Sequence, residues 1–165
     1  MRKARPSSIR VEGNDAFVSL TQGLEAVIDA ADVPLLSGYA WTAQVGAEGH
    51  AYARRYFRGG ALLMHRVLMR AEKGLCVDHI DGDGLNNRRS NLRIANQSQN
   101  NMNMLVTRRN KIGVKGVSVG KTGKFEAKIK YQDKNYYLGG FPTPEEASAA
   151  YYGAARVLFG DFAKK

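Results

Sequence analysis

The sequence predicts an α+β fold, and three observations predict it. Short strand-like runs dominate residues 1–62, a polar loop and a polar helix follow, and a strand with two-residue alternation then leads into one strongly signalled helix. At 165 residues the chain fits one domain or two small modules in tandem, and its 44% apolar and 24% charged residues are ordinary for a globular protein.

Taken in order, strands are expected at Ala16-Phe17-Val18-Ser19-Leu20, at Trp41-Thr42-Ala43-Gln44-Val45 and from Ala51 to Phe57. A turn at residues 46–49 separates the last two, and a short helix is expected between Asp32 and Tyr39. Met64, Val67, Leu68 and Ala71 fall at i, i+3, i+4 and i+7, the stripe of a short buried helix that Gly74 ends. After the polar stretch from Val77 to Arg93, residues 96–103 form a helix rich in Asn and Gln.

Beyond residue 113, Phe125, Ala127, Ile129 and Tyr131 alternate with Lys124, Glu126, Lys128 and Lys130, so one strand face packs and the other is mostly basic. Turn signals at residues 121–124 and 132–135 make this the centre of a three-stranded antiparallel sheet from about 115 to 141, closed by Gly139-Gly140. Thr143 then acts as a helix N-cap, Pro144 takes the first position and Glu146 completes a capping box. Ala147, Ala150, Tyr151, Ala154, Ala155 and Leu158 form the apolar stripe, and Gly160 caps the end.

Charge narrows the partners. With 25 Lys+Arg against 15 Asp+Glu the net charge is +10, rising along the chain from +1 over 1–62 and +2 over 63–104 to +3 over 105–112 and +4 over 113–165. A polyanion is the implied partner. The single cysteine, Cys76, excludes an intrachain disulfide framework and a paired-cysteine zinc site, and it reads as a small core residue. No apolar run approaches the roughly 20 residues of a membrane span, so a soluble, intracellular protein without a membrane partner is expected.

The densest chemistry lies in Val77-Asp78-His79-Ile80-Asp81-Gly82-Asp83-Gly84-Leu85-Asn86-Asn87-Arg88-Arg89-Ser90-Asn91-Leu92-Arg93. Asp-Gly-Asp-Gly and Asn-Asn alone are ordinary turn residues, and an EF-hand reading fails because Leu92 stands where its bidentate Glu would be. In combination, residues 63–103 resemble the HNH or ββα-metal nucleases of phage and homing-endonuclease type. The resemblance implies that His79 is the general base and that Asn91 holds the finger loop and orients the His79 ring through a hydrogen bond. It also implies that Asp78 and Asn100 ligate one Mg²⁺ or Mn²⁺ per active site. Asn96 and Asn101 offer the same ligand chemistry as Asn100, which replaces the final His of the family pattern. Because neighbouring residues on a regular strand face opposite ways, Asp78 and His79 are expected to serve one site through a strand that is irregular or sharply bent there. His65, which has a family counterpart, is read as structural or DNA-contacting.

The run from Lys115-Gly116-Val117 through Lys124-Phe125-Glu126-Ala127-Lys128-Ile129 and Leu138-Gly139-Gly140-Phe141 to Thr143-Pro144-Glu145-Glu146-Ala147 and Ala149-Ala150-Tyr151 is similar to the plant Apetala/ethylene-response-factor DNA-binding domain. Plant relatives place arginines and a tryptophan where Ser118, Gly120 and Thr122 stand here, so their target sequence does not carry over. The expected organisation is a β-rich portion (1–62), an HNH motif (63–104), a basic linker (105–112) and an Apetala-like domain (113–165). The expected partner is double-stranded DNA, met by Arg88, Arg89, Arg108, Arg109, Lys111, Lys121, Lys124, Lys128 and Lys130. No small-molecule cofactor is expected, and the protein would act as a monomer or homodimer in the cytoplasm, that of a bacterial host if phage-encoded. The alternative is a non-catalytic, sequence-specific DNA-binding regulator derived from such a nuclease.

Overall fold

A computed structural model describes residues 5–46, 49–103, 106 and 110–163. Two compact units divide the chain, Met1–Ala95 and Asn96–Lys165.

In the first unit, β1 (Ile9–Glu12), β2 (Asp15–Ser19) and β3 (Glu25–Asp29) form an antiparallel sheet in that order. Alternation decides which side faces inward: Ala16, Val18, Ala26 and Ile28 are fully buried. A 3-10 turn at Ala30–Asp32 and a one-turn helix α1 (Val33–Leu36) follow, matching the short helix expected in this region. A second antiparallel sheet is built from β4 (Thr42–Val45), β5 (Ala51–Phe57) and β6 (Gly60–Leu63). Residues 47 and 48 of the expected turn lie outside the described residues. Helix α2 (Met64–Met69) ends at Arg70, which takes a left-handed conformation, a few residues before Gly74. The hairpin of β7 (Cys76–His79) and β8 (Leu92–Ala95) completes the unit.

One apolar core joins residues of both sheets, both helices and the hairpin. Val18, Ile28, Leu36 and Trp41 pack with Met64 and Leu68 of α2 and with Val77 and Leu92 of the hairpin. The division drawn at 62/63 from local texture therefore runs through a shared core: periodicity reads each segment's face but not what that face covers.

In the second unit, α3 (Gln97–Asn103) is capped reciprocally: the Gln99 N–H donates to Asn96 Oδ1 (2.8 Å) and the Asn96 N–H to Gln99 Oε1 (2.9 Å). Its last turn is held by Lys115 Nζ, which donates to the carbonyls of Asn101 and Met102, both at 2.7 Å. β9 (Val117–Val119), β10 (Phe125–Tyr131) and β11 (Lys134–Phe141) form the antiparallel sheet, with β10 central. Gln132 and Asp133 both take positive φ, making a two-residue hairpin turn, so Lys134 and Asn135 belong to the strand. The strand also runs through Gly139 and Gly140 to Phe141, past a bulge beside Ala127 and Lys128, instead of closing at the glycines.

Helix α4 (Pro144–Phe159) starts as its sequence signals: Thr143 Oγ1 accepts from the Glu146 N–H at 3.2 Å. Ala147, Tyr151, Ala155 and Phe159 bury against Val117, Ala127 and Ile129, and Met102 of α3 enters the same core. This burial of Met102 assigns α3 to the second unit, with a boundary inside the 63–104 segment. Among the described residues no helix is long and apolar enough to cross a membrane.

Candidate active site

β7 and β8 pair in regular register through the polar stretch, Asp78 opposite Arg93 and His79 opposite Leu92. The ladder continues beyond the strands, the Ile80 N–H donating to Asn91 O at 2.8 Å. The bend or irregularity expected between Asp78 and His79 is absent from this regular ladder, yet the Asp78 carboxylate still acts electrostatically on the His79 ring. Asp78 is instead gripped across the hairpin by Arg93, whose Nε and Nη2 both lie 2.8 Å from Asp78 Oδ2. The pair is almost completely withdrawn from solvent on the Asp78 side.

His79 is buried, 5% exposed, among aromatic rings. Its imidazole meets that of His65 edge-on with centroids 4.9 Å apart, and Tyr52 of β5 stands 5.8 Å from both. Burial pushes the His79 imidazole below its ordinary value, against opposing pulls from the Asn87 hydrogen bond and from Asp81, Asp78 and Asp83. The same cause, with added repulsion from His79 and Arg66, drives His65 down to about 3. Both rings are therefore neutral at pH 7, and His65 Nδ1 is buried with no hydrogen-bond partner among the described residues.

The loop from Ile80 to Arg88 folds over this cluster, and Asn91 holds it. Asn91 Nδ2 donates to Asp81 Oδ1 (2.9 Å) and Asn86 O (2.8 Å), while its Oδ1 accepts from the Asp81 N–H (3.0 Å). The loop-holding role expected of Asn91 is thus seen, but the side chain on the His79 ring is a different one. Asn87 Oδ1 lies 3.3 Å from His79 Nε2, and Asn87 is wholly buried. By sequence Asn86-Asn87 are turn residues, and nothing in that pattern separates a solvated amide from a buried one.

The N-terminal sheets seat this loop. The Val27 N–H donates to Leu85 O (2.9 Å) and the Asn87 N–H to Val27 O (2.7 Å), a short parallel bridge along the free edge of β3. On the other side Gly84 approaches β5 so closely that a Cβ would collide with Ala51 O and the Tyr52 ring. Arg88 forks onto Asp15, Nε to Oδ1 at 2.8 Å and Nη2 to Oδ2 at 2.6 Å. Arg89 forks onto the buried Asp32 (2.8–3.1 Å), and its N–H donates to Asp29 Oδ2. These two arginines, expected to meet DNA, are engaged with carboxylates of the N-terminal sheet and the turn after it. Composition registers their charge but not the acids some 57 to 73 residues away that take it up.

Asp78, His79 and Asn91 thus share the first unit, whereas Asn100, half-buried on α3, belongs to the second, as do Asn96 and Asn101. Among the described residues no cluster of three or more His, Cys, Asp or Glu side chains could hold a metal.

The lysines expected on the outer sheet face are exposed, but two are paired: Lys128 with Glu126 at 2.7 Å and Lys130 with Asp133 at 2.9 Å. Lys121, Lys124 and Lys111 are also exposed, and Arg108 and Arg109 lie outside the described residues.

Comparison with known proteins places these features. Residues 63–102 match the family model for HNH endonucleases. The chain is 31% identical over 160 residues to an uncharacterized HNH endonuclease of Acanthamoeba polyphaga mimivirus, covering 93% of this chain and 75% of that protein. It is also 34% identical over 95 residues to Protein 3.8 of Escherichia phage T7, covering 56% and 76% of the two chains. No solved structure matches. Over a match of that extent, with the family segment centred on the His79 loop, the chain belongs to the HNH endonuclease family.

Proposed function

We propose that the protein is a metal-dependent DNA endonuclease that hydrolyses phosphodiester bonds at the β7–β8 hairpin and is directed to its target by its C-terminal domain. The observation that carries this reading is His79, an imidazole kept neutral by burial and standing inside the segment that matches the family. A neutral imidazole can take the proton of a water whose oxygen attacks phosphorus. The bond from phosphorus to the 3′ oxygen then breaks, leaving a 5′ phosphate and a 3′ hydroxyl. Asn91 keeps the loop closed over the base, and Arg93 fixes the direction of the Asp78 carboxylate.

The oxygen donors that the family resemblance names are of the type a hard divalent cation takes. Asp78 offers a buried carboxylate and Asn100 an amide oxygen, and no soft ligand is required of either. By that resemblance Asp78 and Asn100 would be the ligands of one Mg²⁺ or Mn²⁺, and the ion would supply Lewis-acid stabilisation of the leaving 3′ oxygen.

The three-stranded sheet and its capped helix support reading residues 113–165 as an Apetala/ethylene-response-factor-like DNA-binding domain. Lys121 and Lys124 meet phosphates there first, because Lys128 and Lys130 share their charge with Glu126 and Asp133. Arg108, Arg109 and Lys111 would add phosphate contacts to this binding. A single site cuts one strand, so a monomer nicks and a homodimer makes a double-strand break. The architecture suits a phage-encoded, homing-type enzyme acting in the cytoplasm of a bacterial host.

The test is incubation of supercoiled plasmids carrying varied phage and genomic inserts with the protein in Mg²⁺ or Mn²⁺ and in EDTA. Relaxation or linearisation only with metal is the expected result. Equal cutting in EDTA would contradict metal dependence, and tight binding with no cutting under any condition would favour the regulator reading.

A further inference from the structure

We infer that Asn87 is the positioning residue that fixes the tautomer and direction of the His79 ring, a role that rests on the reading of His79 as the base. Asn87 Nδ2 donates to Leu85 O at 3.1 Å and Gly84 O at 3.4 Å. Turning the amide over would set its oxygen against two carbonyl oxygens, so the orientation with Oδ1 toward His79 is the one that its surroundings permit. An amide oxygen can only accept. The ring nitrogen facing it at 3.3 Å, Nε2, must therefore carry the proton of the neutral imidazole. The basic lone pair then belongs to Nδ1.

The support behind Asn87 is unusually complete for a loop residue. It is 0% exposed, its N–H is taken by Val27 O, and its neighbours in the loop are anchored by Gly84 against β5 and by Arg88 and Arg89 on three aspartates. Residues 1–62 thereby acquire a function: the edge of β3 and the start of β5 hold one amide against one imidazole. A neutral ring pinned in a single tautomer presents the same nitrogen to water in every turnover, which is how a hydrogen-bonding group behind a general base contributes to the rate.

The experiment has a spectroscopic and a kinetic arm, both on the full chain in Mg²⁺. Long-range proton–nitrogen correlation spectra of the three histidines, with His79→Gln used for assignment, report which ring nitrogen is protonated at pH 8. The expected result is an Nε2–H ring for His79 with a slowly exchanging proton, lost in Asn87→Ala. An Nδ1–H ring in the wild type would overturn the inference whatever the variants do. In plasmid cleavage, Asn87→Ala should lose on the order of 10–100-fold in kcat with KM little changed. A folded Asn87→Ala protein that cuts at the wild-type rate would also overturn it. A wild type that cuts nothing while its His79 is Nε2–H would instead contradict the nuclease reading of the site and leave the positioning of the ring intact.

Discussion

Burying two imidazoles in the first unit makes that unit sensitive to acid, and the size of the effect follows from His65. Its pKa falls from 6.5 to about 3 on folding, because charging a ring that is 5% exposed beside His79 and Arg66 is unfavourable. A base whose folded pKa is depressed binds fewer protons folded than unfolded between those two values, so stability is complete above 6.5 and is lost as pH falls toward 3. At 1.36 kcal/mol per pH unit, lowering the pH to 5 removes about 2 kcal/mol from this residue alone. His79, shifted in the same direction, adds to the loss. The assay is urea denaturation at pH 7.5 and pH 5, read by fluorescence of Trp41. This is the single tryptophan of the chain and sits in the core that also holds α2 and the hairpin. His65→Gln should flatten the dependence by the His65 share even if it lowers stability at both pH values, and His65→Gln with His79→Gln should flatten it further. A His65→Gln protein whose stability falls between pH 7.5 and 5 by the same amount as the wild type would refute the reasoning.

Further outcomes follow from the loop and the sheets. Gly84→Ala should destabilise the first unit by about 1–3 kcal/mol through overpacking against Ala51 and Tyr52, and should reduce cleavage further than its stability loss explains, as read by denaturation and plasmid nicking together. Arg89→Met should cost about 2 kcal/mol because it leaves the buried Asp32 unpaired, and adding Asp32→Asn should recover part of this in a double-mutant cycle. Gly116→Ala, at φ 69 and against the Tyr151 ring, should lower the melting temperature of the second unit while Trp41 fluorescence of the first is unchanged. Lys121→Ala with Lys124→Ala should weaken DNA binding and lower the salt slope by roughly 0.9 for each phosphate that is no longer neutralised, as measured by titration at several salt concentrations.

How far the fold is legible in the sequence varies with what each signal depends on. α4 and β10 are readable to within a residue or so, because caps and alternation are local: Thr143, Pro144, Glu146 and Gly160 fix the helix ends, and Phe125 to Tyr131 alternate without interruption. β1 and β3 escape such a reading. Ile9–Glu12 is short and largely exposed, and both it and Glu25–Asp29 gain their identity by pairing with β2. β6 escapes for a similar reason, as Gly60–Leu63 gains its identity from the partner β5.

The candidate site divides in the same way. His79, Asp78 and Asn91 stand out in the sequence because their types and spacing are unusual, and the structure adds the hydrogen bonds by which Asn91 holds the loop. The roles of Asn87, Arg88 and Arg89 are not, because each depends on partners in β2, β3 or the turn after them, up to 73 residues distant. A residue's charge or amide is written in the sequence; the acceptor waiting for it is a property of the fold.

That His79 performs the chemistry is tested most directly by single-turnover cleavage of a supercoiled plasmid in Mg²⁺ by wild type and His79→Ala, with DNA affinity measured in parallel. The variant should bind the plasmid as tightly as wild type and lose on the order of 10²–10⁴-fold in cleavage rate, the contribution of a positioned general base. A folded His79→Ala protein that still cuts at the wild-type rate would contradict that role.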